Sequence, residues 1–180
     1  MILVIDMNHK KNTLAFSEFV LPIISVAEKT EACVAKHYSE ATQKEIGKYS
    51  KIILSGTTLK DNAYLEDVGK FMWIRKTDAP VLGICAGMQI IGAVFDSGVR
   101  RCEEIGMTDV ETVKKNLLFS GKFSAYELHS RVIDVPEDFC VLAKSKKCAQ
   151  AIKHKRKDIY GVLFHPEVRN REIIERFVGL

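Results

Sequence analysis

The sequence has no long apolar run, no regular cysteine pattern and no histidine-rich cluster. None of its apolar runs approaches the ~20 residues that a membrane-spanning helix needs. The start, MILVIDMNHKK, has no basic region before its apolar stretch, so it predicts a first strand and not a signal peptide. We therefore expect no membrane partner.

The cysteines exclude two further classes of protein. There are five, an odd number without regular spacing, which does not make a disulfide framework. No Cys-x-x-Cys pair is present, so nothing along the chain indicates a zinc site or any other metal. A reducing compartment, the cytoplasm, is the expected location.

A strong charge of one sign is also missing. The chain has 27 Lys and Arg against 23 Asp and Glu, a formal net charge of +4. This excess is too mild to indicate nucleic acid, and no stripe of aromatic and basic residues supports such a partner. The basic cluster KHKRK, Lys153 to Lys157, favours a solvated turn over a contact for a partner or an anionic substrate.

The sequence does have an alternation of short β-branched runs with segments of helical spacing. ILVID, KIILSG, VLGIC and IYGVLF are typical of buried parallel strands. TLAFSEFVLPII, YLEDVGKFMWIRK (Tyr64 to Lys76), AGMQIIGAVF and NREIIERFVGL predict helices, the first interrupted by Pro22. Residues 102–154 contain shorter runs that suit an antiparallel region. We predict one α/β domain over residues 1–180, with a mainly parallel sheet, helices on both faces and a small antiparallel region.

A thiol stands at a special point of this pattern. Gly83-Ile84-Cys85-Ala86-Gly87 has the form glycine-x-nucleophile-x-glycine, directly after a predicted strand. In such an elbow the nucleophile sits on a sharp strand-to-helix turn, above the carboxyl ends of the strands. The helix N-terminus favours the thiolate, and the backbone N–H of Ala86 is free to face an oxyanion. Taken alone, the pentapeptide is equally compatible with a small buried cysteine.

A histidine and a glutamate near the other end of the chain complement this thiol. His165 and Glu167 flank Pro166, immediately after the last predicted strand. On an extended segment, positions i and i+2 project the same way. A carboxylate beside an imidazole fixes its tautomer and stabilises the imidazolium. The elbow and the His-Pro-Glu segment together predict a thiol nucleophile with an acid/base partner.

GICAGMQ together with FHPE resembles the class I, triad-type glutamine amidotransferases, and the resemblance covers most of the chain. It implies a flavodoxin-like sheet and hydrolysis of glutamine to glutamate and ammonia. It makes Cys85 the nucleophile, His165 the general acid/base and Glu167 its orienter. The residues that it assigns to the substrate and to the oxyanion hole are Gly56, Gln89, Ser130 and Arg131 for glutamine, with the backbones of Ala86 and Thr57 for the oxyanion.

The sequence departs from the family pattern at three places. Ser55-Gly56-Thr57-Thr58 replaces the usual glycine-rich turn, and Met88 and Leu163 stand where histidine and glutamine are common. A β-branched residue strongly disfavours positive φ. We therefore expect the Thr57 half of the oxyanion hole to be strained or unformed without a partner. A degenerate member that binds glutamine or regulates without turnover is the alternative.

The resemblance also bears on what receives the ammonia. No synthetase domain accompanies the motifs, so a separate chain is expected to use it. The segment from VPEDFCVLAKS to YGVLFHPEV most resembles the glutaminase subunits of two-subunit GMP synthases. That implies a partner of the ATP-pyrophosphatase type, carrying ATP and magnesium, which aminates XMP; no cofactor is expected in this chain. The glutaminase components of anthranilate or aminodeoxychorismate synthase are the alternative, because LHSR resembles their YHSL-type segment.

Overall fold

The computed structural model describes residues 1–180, which fold around one nine-stranded sheet. The strands are β1 (Ile2–Asp6), β2 (Cys33–His37), β3 (Lys51–Leu54), β4 (Val81–Ile84), β5 (Val99–Thr112), β6 (Lys122–Ile133), β7 (Phe139–Lys144), β8 (Ala149–His154) and β9 (Ile159–Val162). Their order across the sheet is β2-β1-β3-β4-β9-β8-β7-β5-β6.

The sheet has a parallel half and an antiparallel half. Strands β2, β1, β3, β4 and β9 are parallel to their neighbours, so their carboxyl ends meet at one edge. Strands β8, β7, β5 and β6 continue the sheet in antiparallel fashion. With strands of 14 and 12 residues, this half is larger than the small region that the sequence predicted. Strand β2 was not predicted at all, because CVAKH is a half-buried edge strand with little apolar pattern.

Helices cover both faces of the sheet, as predicted. Pro22 lies at the start of a helix and divides the first helical segment into two. The helices are α1 (Leu14–Phe19), α2 (Leu21–Ala27), α3 (Gln43–Ile46), α4 (Ala86–Val94) and α5 (Glu172–Val178). None of them is long and apolar enough to cross a membrane.

The α-helix predicted over Tyr64 to Lys76 was wrong. The segment forms two 3₁₀ stretches, Ala63–Leu65 and Val68–Arg75. Val68, Phe71 and Ile74 recur every three residues, and Phe71 and Ile74 are fully buried. A spacing of three matches the 3₁₀ period and not the 3.6 residues of an α-helix, so the tighter winding keeps all three side chains against one apolar core.

Two apolar cores lie on opposite faces of the sheet. In β1 the side chains alternate between them: Ile2 and Val4 join one core, and Leu3 and Ile5 join the other. Helices α2 and α5 cover the first core. Helix α4 and the 3₁₀ segments cover the second. This packing fixes the strand ends from which the functional side chains project.

Candidate active site

Cys85 occupies a strained turn between β4 and α4. Its φ of 49° and ψ of −100° are rare for any residue other than glycine and cost of order 1–3 kcal/mol. Two backbone hydrogen bonds hold it, from the N–H of Cys85 to the carbonyl of Val162 (2.8 Å) and from the N–H of Gln89 to the carbonyl of Cys85 (3.0 Å). The thiol is therefore fixed at the carboxyl edge of the parallel strands, at the N-terminus of α4.

The two glycines of the elbow are required by close packing. A Cβ on Gly83 would lie 2.4 Å from the carbonyl carbon of Gly87. A Cβ on Gly87 would lie 2.6 Å from the carbonyl oxygen of Leu54. Both neighbours are backbone atoms, which cannot yield without moving the sheet or the helix. The glycine-x-cysteine-x-glycine pattern therefore reflects a helix packed directly on the end of its strand.

His165 and Glu167 form a buried pair in the loop after β9. Nδ1 of His165 lies 2.7 Å from Oε1 of Glu167, and both side chains are at most 1% exposed. The backbone N–H of His165 donates to the carbonyl of Tyr126 (2.9 Å). The rings of Phe19 and Tyr126 lie 5.7 and 6.4 Å from the imidazole, measured between centroids. The imidazole is thus held on several sides, with Nε2 left without a hydrogen-bond partner.

The surroundings of His165 favour its charged form. Burial, the largest influence, lowers the pKa of the imidazole, but the charges of Glu167 and Cys85 and the hydrogen bond to Glu167 outweigh it. The pKa of His165 consequently stands well above its ordinary value of 6.5. Because Nε2 makes no aligned hydrogen bond, its proton is available to a group held beside Cys85. A thiol and an imidazolium so arranged can perform nucleophilic catalysis.

Replacing Glu167 with glutamine should lower the pKa of His165. Glutamine keeps the shape but removes the charge, while burial of the imidazole continues to favour the neutral form. Cys85 and the more distant carboxylate of Glu127 remain as the other charged neighbours. The alkaline limb of the pH profile of kcat/KM for glutamine should therefore move to lower pH, with a slower rate. The matched control is Glu172→Gln, an exposed carboxylate on α5, and a profile unmoved in Glu167→Gln would contradict the pairing.

Gly56 lies directly against the imidazole and does not line the cleft above the thiol. A Cβ there would stand 2.6 Å from Cε1 and 3.2 Å from Nδ1 of His165. We expect Gly56→Ala to push the ring away from Glu167 and to reduce kcat by ~10²-fold, as a 1 Å misplacement can. Gly47→Ala is the control, since nothing lies within 4 Å of its added methyl. Equal rates in the two variants would mean that the ring has room to shift.

The cleft above Cys85 is nearly closed. Its free volume is ≈ 10 Å³, about the room that one water molecule needs. One wall is the segment 57–64 and the other is residues 128–131 of β6. The hydroxyl of Ser130 donates to the carbonyl of Leu59 across the cleft (3.4 Å). A glutamine side chain fits only after these walls separate.

Gln89, Ser130 and Arg131, the predicted substrate residues, meet in the walls of this cleft. The side-chain amide of Gln89 accepts a hydrogen bond from the hydroxyl of Tyr64 (2.5 Å) and donates to the carbonyl of Arg131 (3.0 Å). Burial raises the pKa of Tyr64 far above its ordinary value, so the phenol stays a donor. The backbone at Arg131 is therefore tied to α4 through one buried amide.

The strain that we expected at Thr57 is absent, because its φ is not positive. Its hydroxyl lies 2.8 Å from Oδ1 of Asn8 and 2.9 Å from Oδ2 of Asp61, which fixes the turn in an ordinary conformation. The backbone N–H groups of Thr57 and Ala86 have no hydrogen-bond partner in the protein. Both line the cleft with Cys85, where free amides can stabilise an oxyanion.

Three residues that position these groups were not predicted from the sequence: Asn8, Asp61 and Tyr64. Asp61 also accepts a hydrogen bond from the backbone N–H of His9 (2.7 Å), so it ties the segment 57–64 to the chain after β1. None of the three belongs to a recognisable motif, and only the fold brings them together. Met88 and Leu163, where the family pattern is broken, are buried packing residues.

Comparisons with known proteins find relatives among the glutamine-hydrolysing subunits of GMP synthase. Among curated relatives, a glutamine-hydrolysing GMP synthase subunit of Pyrococcus abyssi is 35% identical over 155 residues, 73% of this chain and 82% of that protein. The subunit of the same name from Methanosphaera stadtmanae is 41% identical over 115 residues, 58% of this chain. The chain covers 62% of the Methanosphaera protein, less than two thirds of its length.

Solved structures share the fold. A provisionally assigned GMP synthase subunit from Thermoplasma acidophilum has a TM-score of 0.85 and 24% identity, over 99% of this chain and 93% of that one. A glutamine amidotransferase from Thermotoga maritima has a TM-score of 0.73 and 23% identity, over 99% and 81%. These likenesses confirm the predicted α/β, flavodoxin-like fold class.

The family follows from the sequence match. The model of the family "Glutamine amidotransferase class-I" matches residues 17–178, most of the chain. The resemblance seen in GICAGMQ and FHPE is thereby confirmed, and with it the prediction of an enzyme whose relatives use a cysteine nucleophile. The chain belongs to the class I glutamine amidotransferases.

Proposed function

We propose that this chain hydrolyses glutamine with Cys85, His165 and Glu167 and passes the ammonia to a separate synthetase that aminates XMP to GMP. The observation that carries the hydrolysis is the strained elbow of Cys85 beside the buried His165–Glu167 pair. The relatives are named as glutamine-hydrolysing subunits of GMP synthase, which supports this acceptor. The same name supports glutamine as the substrate.

In the first half-reaction the thiolate of Cys85 attacks the side-chain amide carbon of glutamine. The C–N bond then breaks, and Nε2 of His165 gives its proton to the leaving nitrogen, so that ammonia departs and a γ-glutamyl thioester remains. The raised pKa of His165 keeps that proton in place at neutral pH before the attack. Glu167 stabilises the imidazolium and fixes the ring through its bond to Nδ1.

In the second half-reaction the now neutral His165 takes a proton from water. The hydroxide that forms attacks the thioester carbonyl, the C–S bond breaks, and glutamate leaves while the thiolate is restored. Both tetrahedral intermediates carry an oxyanion. The free backbone N–H groups of Thr57 and Ala86 are the two donors that we assign to it.

Substrate recognition falls to the walls of the cleft. We assign the amino-acid end of glutamine to the backbone at Ser130 and Arg131, whose position Gln89 fixes. Gly56 acts on the substrate through the imidazole that it contacts. No cofactor is assigned to these steps. ATP and magnesium belong to the partner, which we take to be of the ATP-pyrophosphatase type.

Isotope transfer tests this proposal. The chain is mixed with the synthetase subunit from the same genome, MgATP, XMP and glutamine labelled with ¹⁵N in its amide. The expected product is GMP that carries the label, and the Cys85→Ala chain should yield GMP only when ammonium is added. If the label appears instead in the product of a chorismate-using synthase subunit, the chain serves anthranilate or aminodeoxychorismate synthesis.

The nearly closed cleft is the one observation that favours a module without turnover. Such a module would bind glutamine or regulate a partner and release no ammonia. The same mixture separates the two functions, because glutamate accumulates with an enzyme and not with a binding module. Absence of glutamate with every synthetase partner would favour the module.

A further inference from the structure

A second group of ionisable side chains is buried beside the β6 wall of the cleft. Glu104 lies on β5, Glu127 and His129 lie on β6, and Cys148 precedes β8. Glu104, Glu127 and His129 are at most 6% exposed, and Cys148 is half-buried. None of them takes part in the proposed hydrolysis. Their spacing along the chain gave no metal signature. The structure brings the ligand atoms of Glu104, His129 and Cys148 within 4.8 Å of one another, and Glu127 lies next to the imidazole of His129.

Three pairs of ligand atoms in the group are spaced about as around a tetrahedral metal ion. Nε2 of His129 lies 3.5 Å from Oε2 of Glu104 and 3.2 Å from Oε2 of Glu127. Sγ of Cys148 lies 3.2 Å from the same Oε2 of Glu104. Zinc bonds of about 2.0–2.3 Å in tetrahedral geometry place neighbouring ligand atoms roughly 3.3–3.7 Å apart. Glu104, His129 and Cys148 therefore need little rearrangement to close around an ion, and Glu127 lies beside the imidazole.

The polar atoms at the centre of the group lack partners. Nε2 of His129 and both carboxylate oxygens of Glu127 are buried without a hydrogen bond. Nδ1 of His129 donates to the carbonyl of Cys102 (3.1 Å), so Nε2 is the nitrogen that faces the two carboxylates. With Nε2 unprotonated, its lone pair and the two carboxylates repel each other in a buried space, and either a proton on the ring or a metal ion between them relieves the repulsion.

The surroundings of the group resemble a second coordination shell. The carbonyl of Cys102 fixes the ring of His129, as a backbone carbonyl does for many metal-bound histidines. Gln150 and Ser145 donate to Oε2 of Glu104 at 2.8 and 3.2 Å, which orients that carboxylate. A register shift in the pairing of β5 with β6, between Arg101 and Glu104, turns the strand locally.

We propose that Glu104, Glu127, His129 and Cys148 bind one divalent transition-metal ion of the zinc class. One nitrogen, two oxygens and one sulfur suit zinc better than magnesium or calcium, which prefer oxygen alone. On binding, the thiol of Cys148 loses its proton to solvent and its sulfur bonds the metal. Leu128, between two of the ligands, directs its carbonyl at Sγ of Cys85 (3.7 Å). The ion would therefore fix the strand that faces the nucleophile.

Metal titration of the full chain tests the site. The Cys85→Ala variant serves as parent, so that the thiol and imidazole of the active site cannot bind the probe together. After chelation, Zn²⁺ is titrated against a chromophoric competitor, and Co²⁺ is used as a spectroscopic probe. We expect one ion per chain and a sulfur-to-cobalt charge-transfer band. Adding Cys148→Ala should remove the band and weaken zinc binding by at least ~100-fold.

Two further variants separate this site from chance binding. Cys140→Ala removes another half-buried thiol, whose sulfur lies 3.5 Å from the carbonyl of Lys153, and it should leave the affinity unchanged. His129→Ala should also weaken zinc binding. If that variant does not fold, Glu127→Gln replaces it, because glutamine keeps the shape of the side chain, and it should weaken zinc binding as well. Equal zinc affinity in the parent and in Cys148→Ala, or cobalt binding without the band, would overturn the proposal. In that case bound protons, and not a metal ion, would neutralise the buried carboxylates.

Discussion

Replacing Cys85 with alanine should abolish glutamine hydrolysis and leave the fold intact. The thiol forms the covalent bond in the proposed reaction, and no other cysteine stands at a helix N-terminus with positive φ. Members of a catalytic triad act as a unit, and loss of one costs up to ~10⁶-fold in kcat in a serine protease. We expect a similar loss in Cys85→Ala and in His165→Ala, measured as glutamate released by the complex with its synthetase.

The control for this prediction is Cys33→Ala, which removes a half-buried thiol on β2. Burial raises the pKa of Cys33 to about 11, so that thiol is a weak nucleophile at neutral pH. A glutamine-like electrophile should label Cys85 in the wild type and nothing in Cys85→Ala. Full activity in His165→Ala, or labelling that falls on Cys33, Cys102, Cys140 or Cys148, would contradict the assignment.

Binding of the synthetase should raise the glutaminase rate because it opens the cleft. In the free chain the walls leave ≈ 10 Å³ above Cys85, and Ser130 bonds to Leu59 across the gap. A minor open state is commonly ~0.1–10% populated. A partner that holds the chain open would then raise kcat/KM for glutamine by roughly 10- to 1000-fold. Kinetics with and without the nucleotide-loaded partner measure this ratio.

A substitution in the cleft wall tests the cause of the activation. Leu59→Ala shortens a half-buried side chain of the segment 57–64, so the free chain should gain activity and the ratio should shrink. Leu117→Ala is the matched control, because that leucine is 67% exposed and lies outside the cleft. A free wild-type chain that already runs at the rate of the complex would exclude the closed cleft as the cause of latency.

The absence of strain at Thr57 changes what a glycine there should do. From the sequence we expected a strained oxyanion turn, and glycine at position 57 would relieve such strain. The structure shows an ordinary φ, with the hydroxyl fixed by Asn8 and Asp61. Glycine would remove that anchor and add backbone freedom. Thr57→Gly is therefore expected to lower the activity of the complex, measured by the same glutamate assay.

Local patterns predicted the parts of the fold and site that depend on local physics. The elbow was recognisable because only glycine fits at 83 and 87, where backbone atoms would meet a Cβ at 2.4 and 2.6 Å. His165 and Glu167 were recognisable because they are close in sequence. Strand β1 was predicted with its observed bounds, since an unbroken buried run has few alternatives.

Features that depend on tertiary contacts could not be predicted from the sequence. The 3₁₀ winding of Val68–Arg75 is set by packing against α4, which overrides helix propensity. The Tyr64–Gln89 bond joins residues 25 positions apart. The group of Glu104, His129 and Cys148 exists only because β5, β6 and the turn before β8 meet. No spacing rule along the chain connects such residues.

Detection of the covalent intermediate tests the central claim most directly. The chain in complex with its nucleotide-loaded synthetase is mixed with glutamine, quenched in acid within one turnover, and analysed by mass spectrometry after proteolysis. We predict an adduct with the mass of glutamine less ammonia on the peptide that contains Cys85, and none in Cys85→Ala. Glutamate formation without any adduct on Cys85, or an adduct on another cysteine, would contradict the account.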